Sequence, residues 1–170
     1  MAILIDGYNL MYGSGILPLG KVPHTLQYYR QSLMRFLDEH LSADDLAQTT
    51  VVFDAAESPP GLPRHYAHGT VQVYYAADHA EADDLIEELI EADRLPQKLL
   101  VVSSDHRLQR AAQRRGAECI DSDAWYDQLR ENKQRFDNDS TKKSVAPPAS
   151  DKQRELSEEE VRRWLEEFGE

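Results

Sequence analysis

Cysteine is all but missing from this chain. Its single copy, Cys119, cannot close an internal disulfide, so the fold relies on a core and suits a reducing compartment. Long apolar runs are also missing, the longest being a handful of residues, so no membrane span is expected. Positive charge is scarce: 19 Lys and Arg face 31 Asp and Glu, a net charge of -12. That argues against broad, non-specific nucleic-acid binding, which runs on phosphate neutralisation. Any nucleic-acid partner would be held by a local basic patch, by metal, or with help from another body. The opening Met1-Ala2-Ile3-Leu4-Ile5-Asp6 has no basic stretch or small-residue cleavage site, so a signal peptide is not expected and the cytoplasm is the expected location. No Gly-x-Gly-x-x-Gly follows the first apolar run, and Gly13 with Gly15 is only a fragment of one, which disfavours a nucleotide-cofactor fold. Internal repeats are absent.

What is present is the composition of a soluble globular protein, 41% hydrophobic and 29% charged over 170 residues. That is one domain of ordinary size, long enough for a real core. Ala2 to Ile5 run into Asp6, then Gly7 and Asn9. A short β-branched run bounded by turn residues reads as a strand buried on both faces. Gly7 permits a tight turn or close approach to a ligand, and Asn9 tolerates unusual turn angles.

The pattern then repeats. Residues 13–23 read as a loop, and residues 25–41 form an amphipathic helix with Leu26, Tyr29, Leu33, Phe36 and Leu37 at three-and-four spacing. Thr49 to Phe53 is a second apolar run, ending in Asp54. Residues 55–69, with Pro59, Pro60 and Pro63, read as an extended loop, and Val71 to Tyr75 alternates like a strand. Residues 80–93 are helical, and Lys98 to Ser104 is a third strand ending in Asp105. A helix follows that Gly116 should stop, then a short strand over 117–120 and a helix from Ser122 to about Asn132. Residues 133–156 lack a hydrophobic period and read as a flexible linker. Ser157 with Glu160 is a capping box for a short C-terminal helix over 157–168. Strands alternating with helices predict an α/β fold, a three-layer sandwich with a mostly parallel central sheet over residues 1–132.

In a parallel sheet Asp6, Asp54 and Asp105 fall on one edge, the edge at which open α/β sheets bind ligands. The helix beginning near residue 80 starts at that edge too and adds Glu81, Asp83 or Asp84. Converging carboxylates repel and raise one another's pKa unless a cation compensates. Hard oxygen donors without Cys suit Mg2+ or Mn2+, and the reaction this equipment suits best is phosphodiester hydrolysis. Each acid also has a plainer role: Asp6 and Asp105 as helix caps, Asp54 as a turn residue, Asp84 as part of a solvated helix face, Asp121 as a cap.

Ile5-Asp6-Gly7-Tyr8-Asn9 resembles the signature of the NYN domain, a branch of the PIN-like nuclease superfamily. The later runs ending in Asp54, Asp83-Asp84 and Ser103-Ser104-Asp105 match that family's motifs in order and spacing, with the YacP-like bacterial group the most similar. The resemblance implies a metal-dependent endoribonuclease using Mg2+ or Mn2+. It makes Asp6, Asp83 and Asp105 the metal acids and Asp54 a further acid, and it prefers Asp83 to Asp84. Asn9 would orient a carboxylate or touch substrate. Ser103 or Ser104 would bond a phosphate or a metal-bound water, or serve only as turn hydroxyls.

Arg64, His65, Tyr66 and His68 are candidates to grip RNA by phosphate contacts and stacking, with no third ligand to make the two histidines a zinc site. Arg107, Arg110, Arg114 and Arg115 form a phosphate stripe or a solvated face. The expected partner is RNA, mRNA in particular. Association with the ribosome follows from relatives in this group, and the chain is expected to be a monomer or weak homodimer. The competing readings are a catalytically silent RNA- or ribosome-binding module and a phosphatase. A phosphatase with an aspartyl nucleophile usually wants a second acid two residues on, where Tyr8 stands.

Overall fold

The computed structural model describes residues 1–18, 25–54, 64–77 and 81–144, with side chains as far as 135. The chain divides into two units, residues 1–134 and 135–170. The first carries a six-stranded sheet in the order β3-β4-β2-β1-β5-β6. Its strands are β1 (Ala2–Asp6), β2 (Thr49–Phe53), β3 (His65–His68), β4 (Val71–Tyr75), β5 (Leu99–Val102) and β6 (Glu118–Ile120). All neighbours pair in parallel except β3, which lies antiparallel to β4 at the edge.

Helices cover both faces, because the central strands are apolar on both sides. Ile3 and Ile5 of β1 point into one core, and Leu4 points into the other. The first core is closed by α1 (Gly7–Gly13), α2 (Leu26–His40) and α6 (Ser122–Ser144) through Leu10, Met11, Leu33, Leu37 and Trp125. The second is closed by α4 (Ala82–Ala92) and α5 (His106–Arg115) through Ile86, Ile90, Leu108 and Ala112. The short α3 (Ala43–Leu46) is capped by Ser42, and Gly116 ends α5 in the left-handed conformation at φ 76°. The three-layer, mostly parallel architecture is the one expected from the alternation of strands and helices. Among the described residues no helix is long and apolar enough to cross a membrane.

Three segments differ from the sequence reading. Gly7 to Gly13 form a helix, where the sequence predicts a loop from residue 13; glycines at both ends hide it, and the Asp6 cap with buried Leu10 and Met11 stabilises it. Within the predicted loop 55–69, His65 to His68 form a strand. It turns through Gly69, at φ 59°, and Thr70 into β4, a Gly-containing two-residue hairpin. Residues 55–63 lie outside the described residues.

The last helix does not stop near Asn132 but continues to Ser144, through the beginning of the predicted linker 133–156. No Gly or Pro interrupts it before Pro147, and lengthening a helix needs no new nucleus. The predicted C-terminal helix, 157–168, lies outside the described residues.

Gly7 owes its identity to packing. A Cβ there would stand 2.3 Å from Cε1 of Phe53, the buried last residue of β2. Phe53 cannot retreat freely, because it packs on Tyr8 (5.2 Å between ring centroids) and Tyr75 (5.9 Å). Gly7→Ala is therefore expected to destabilise the fold by about 1–3 kcal/mol, the usual cost of overpacking, and a denaturant titration would measure it. An unchanged midpoint would show that the ring relocates without strain.

Candidate active site

Parallel pairing brings the ends of β1, β2 and β5 to one edge. Strand order reverses about β1, with β2 on one side and β5 on the other, which makes this edge the switch point of the sheet. Asp6 ends β1, Asp54 follows β2 and Asp105 follows β5. All three line one cleft of about 450 Å3, together with Asp83 from the first turn of α4. Tyr8, Asn9, Tyr12 and Glu81 complete its described lining along with Ala82. The neighbouring Asp84 turns instead to Arg107, 2.7 Å away.

The cap and the cleft are not competing roles. Asp6 Oδ1 accepts the backbone N–H of Asn9 at 3.1 Å and caps α1, while its Oδ2 accepts the Ser103 hydroxyl at 3.2 Å. Asp105 caps α5 by accepting the backbone N–H of Arg107. Its own N–H donates to Ser103 Oγ at 3.1 Å, so the fully buried Ser103 braces two of the acids.

Asn9 is braced as well. Its Oδ1 accepts the Ser104 N–H at 3.0 Å and the Ser122 hydroxyl at 2.8 Å. This fixes the amide so that its NH2 is the remaining donor, on a residue that lines the cleft. The Ser104 hydroxyl accepts the Ser122 N–H at 3.0 Å. The sequence at Ser122 signals only the start of a helix; its tie to Asn9 spans 113 positions and leaves no local trace.

Of the arginines that the sequence offers, Arg64 and Arg107 are not in the described lining of the cleft, although Arg107 Nη1 stands 3.9 Å from Glu81, which is. Arg107 reaches across to α4, bonding Glu87 through Nε and Nη2 at 3.1 Å each as well as Asp84, and these carboxylates push its pKa up. Arg64 is exposed just before β3, and its carbonyl accepts the Tyr75 N–H at 2.8 Å. It is not among the described residues that line the cleft. His65 bonds Gln72 and stacks on Tyr74, and His68 meets Asp38 at 3.3 Å.

Burial is the main force on Asp6. It pushes the carboxyl up to about 6, with repulsion from Asp83 and Asp105 adding to it, against the lowering effect of the Asn9 N–H and the Ser103 hydroxyl. Asp83 is also raised, first by burial and then by Asp105. These are hard oxygen donors whose mutual repulsion a divalent cation would relieve, so the donor set fits Mg2+ or Mn2+. Among the described residues no three His, Cys, Asp or Glu side chains stand together closely enough to hold one ion as placed. An ion here would keep water among its ligands, as Mg2+ usually does.

Between the ordinary value of 3.8 and about 6, the folded protein holds a proton on Asp6 that the unfolded chain has released. Stability is therefore lost as pH rises through that window, and above it the charged Asp6 is a liability. In metal-free buffer Asp6→Asn should raise stability at pH 8 by about 1–3 kcal/mol and give little gain at pH 4. Thermal melts at both pH values check this, and an equal effect at the two would refute it.

A family model described as the YacP-like NYN domain matches residues 3–168. Two solved structures of Rae1 (YacP) from Bacillus subtilis share the fold. One, at 24% identity, covers 99% of this chain and 94% of its own with a TM-score of 0.62. The other, of a tryptophan-to-leucine mutant, is 22% identical and covers 88% and 87% with a TM-score of 0.63. At such identity the likeness shows the fold alone. No curated protein sequence matches the chain. With a family model spanning nearly its whole length, and a PIN-like sheet whose acids meet at the switch point, the chain belongs to the YacP-like NYN domain family.

Proposed function

We propose that this protein is a divalent-metal-dependent endoribonuclease that hydrolyses RNA phosphodiester bonds at the acidic cleft. Membership of the YacP-like NYN family points to a nuclease or RNA-related function. The observation that carries the finer reading is the meeting of Asp6, Asp54, Asp83 and Asp105 in one cleft, with Asp6 held near the top of the carboxylate range. Such a cluster is costly for a fold to keep, and a cation that must lie against a phosphate explains it.

In this reading Asp6, Asp83 and Asp105 would hold the ion, and Asp54 would add negative charge in the same cleft. Mg2+ or Mn2+, when bound, supplies a water made nucleophilic and a positive charge against the phosphate oxygens. The Asn9 NH2, fixed by Ser104 and Ser122, donates toward a phosphate oxygen. Ser103 keeps Asp6 and Asp105 in register and stays out of contact with substrate, since it is fully buried. Water adds at phosphorus and the bridging oxygen departs with a proton.

The resemblance further implies ribosome-associated mRNA as the substrate. A chain of net charge -12 is compatible with a substrate presented by a larger body.

The alternative reading is a silent module that binds RNA or ribosomes without cutting. Incubation of labelled RNA with Mn2+ separates the two. Cleavage is expected from the native protein and should fall about a hundredfold in Asp83→Asn or Asp105→Asn, with RNA binding retained. Equal RNA binding by all three proteins and cleavage by none would establish the silent module.

Metal binding has its own readout. Millimolar Mn2+ should raise the melting temperature of the native protein and raise that of Asp6→Asn less. Equal shifts in the two would place the ion elsewhere.

A further inference from the structure

Tyr8 joins the acidic cleft to a second cavity. It is one of the residues that line the cleft, and its hydroxyl accepts hydrogen bonds from Arg30 Nε, at 3.1 Å, and from Nη2. Arg30 in turn lines a groove of about 520 Å3 between α2 and β3. On the α2 side the groove is made by Gln27, Arg30, Gln31 and Met34, the spacing of a single helix face. On the β3 side it is made by Tyr66 and His68, alternate residues on one face of a strand.

The chemistry of this lining is specific. Arg30 is 2% exposed and lies 5.5–5.7 Å from the ring centroids of Tyr8, Phe53 and Tyr75, a cation fixed in place by aromatic faces. Arg35, exposed at the rim, supplies a second guanidinium. Tyr66 is half-buried and stacked over Tyr75 at 6.1 Å, so it is a rigid aromatic wall. Gln31 is an exposed carboxamide with both a donor and an acceptor, while the Gln27 oxygen accepts Arg30 Nη1 at 3.4 Å.

Guanidinium for phosphate, an aromatic wall for a base and carboxamides for a base edge are the three contacts by which single-stranded RNA is held. On α5, Arg107 is engaged by Asp84 and Glu87, and Arg115 by Glu91. In a chain of net charge -12, a groove with the exposed Arg35 and the buried positive charge of Arg30 beneath it is where a phosphate chain can approach.

We propose that the groove between α2 and β3 is an RNA subsite, taking one nucleotide of the strand whose neighbouring phosphodiester lies in the acidic cleft. The base lies against Tyr66 with its edge toward Gln31, and the phosphate lies toward the exposed guanidinium of Arg35, with the buried Arg30 beneath the groove. This rests on the reading of RNA as substrate.

The test uses the full chain carrying Asp83→Asn, in Mg2+ buffer, with a short fluorescent single-stranded RNA followed by anisotropy over a range of salt. Arg35→Ala and Gln31→Ala alter exposed side chains and should leave the melting temperature unchanged. Together they are expected to weaken binding about tenfold, and Arg35→Ala alone should lower the salt dependence by about one counterion. Arg94→Ala, beyond the opposite edge of the sheet beside Met1 and Lys98, serves as the control and should bind as its parent does. RNA containing 4-thiouridine should crosslink to the strand that carries Tyr66.

Native-strength binding by the double variant, or crosslinks confined to α5, would overturn the subsite and leave the endoribonuclease reading intact. Failure of the parent protein to bind RNA at all would overturn the subsite and its basis together.

Discussion

A carboxylate buried at the end of the central strand is the constraint that the rest of this structure answers. Asp6 sits where β1 is flanked by neighbours on both sides, and it is almost out of reach of solvent. One backbone N–H and one hydroxyl hold it, and each such bond contributes only about 1 kcal/mol net, more when the acceptor is charged. Those bonds lower its pKa, yet burial wins and the group stays raised. In the proposed function a divalent cation offsets that cost. The nearest groups contribute the opposite sign, since Asp83 and Asp105 both add repulsion.

The supports around Asp6 tie distant elements together. Ser103 bonds Asp6 of β1 and the N–H of Asp105, so one hydroxyl sets the spacing between the central strand and the start of α5. Asn9 of α1 takes the Ser104 N–H and the Ser122 hydroxyl and thereby joins α1, the end of β5 and α6. The residues that touch nothing but protein hold the cleft's geometry, and Gly7 completes the set by letting Phe53 approach the backbone of α1. Two cations flank the cleft: Arg107 clamps α4 to α5 through Asp84 and Glu87 and stands 3.9 Å from the cleft residue Glu81, and Arg30 is fixed under Tyr8 among aromatic rings.

Much of the architecture was legible in the chain because it rests on local periodicity. The apolar runs ending in Asp6, Asp54 and Asp105, the apolar stripe of α4 and the stop at Gly116 each announce themselves within a few residues. Elements that depend on tertiary support were harder to read. The helix at Gly7 to Gly13 has poor intrinsic propensity, and the strand at His65 to His68 exists only by pairing with β4. Arg30 left one faint sign, a charge four residues after Leu26 and three before Leu33, on the apolar face of an otherwise ordinary amphipathic helix.

By itself the sequence determined the order of strands and helices, and hence which edge of a parallel sheet would collect the acids, because β-branched runs and turn residues act on their immediate neighbours. Only the tertiary structure decided which acids share a cleft. Asp83 and Asp84 differ by one residue, about 100° around a helix, and packing of α4 on the sheet turns one to the cleft and the other to Arg107. Packing also decided that Ser103 is a buried brace, that Arg107 belongs to an ion-pair network, and that Ser122 holds Asn9. These are meetings of residues tens of positions apart, and no local pattern in a chain encodes them.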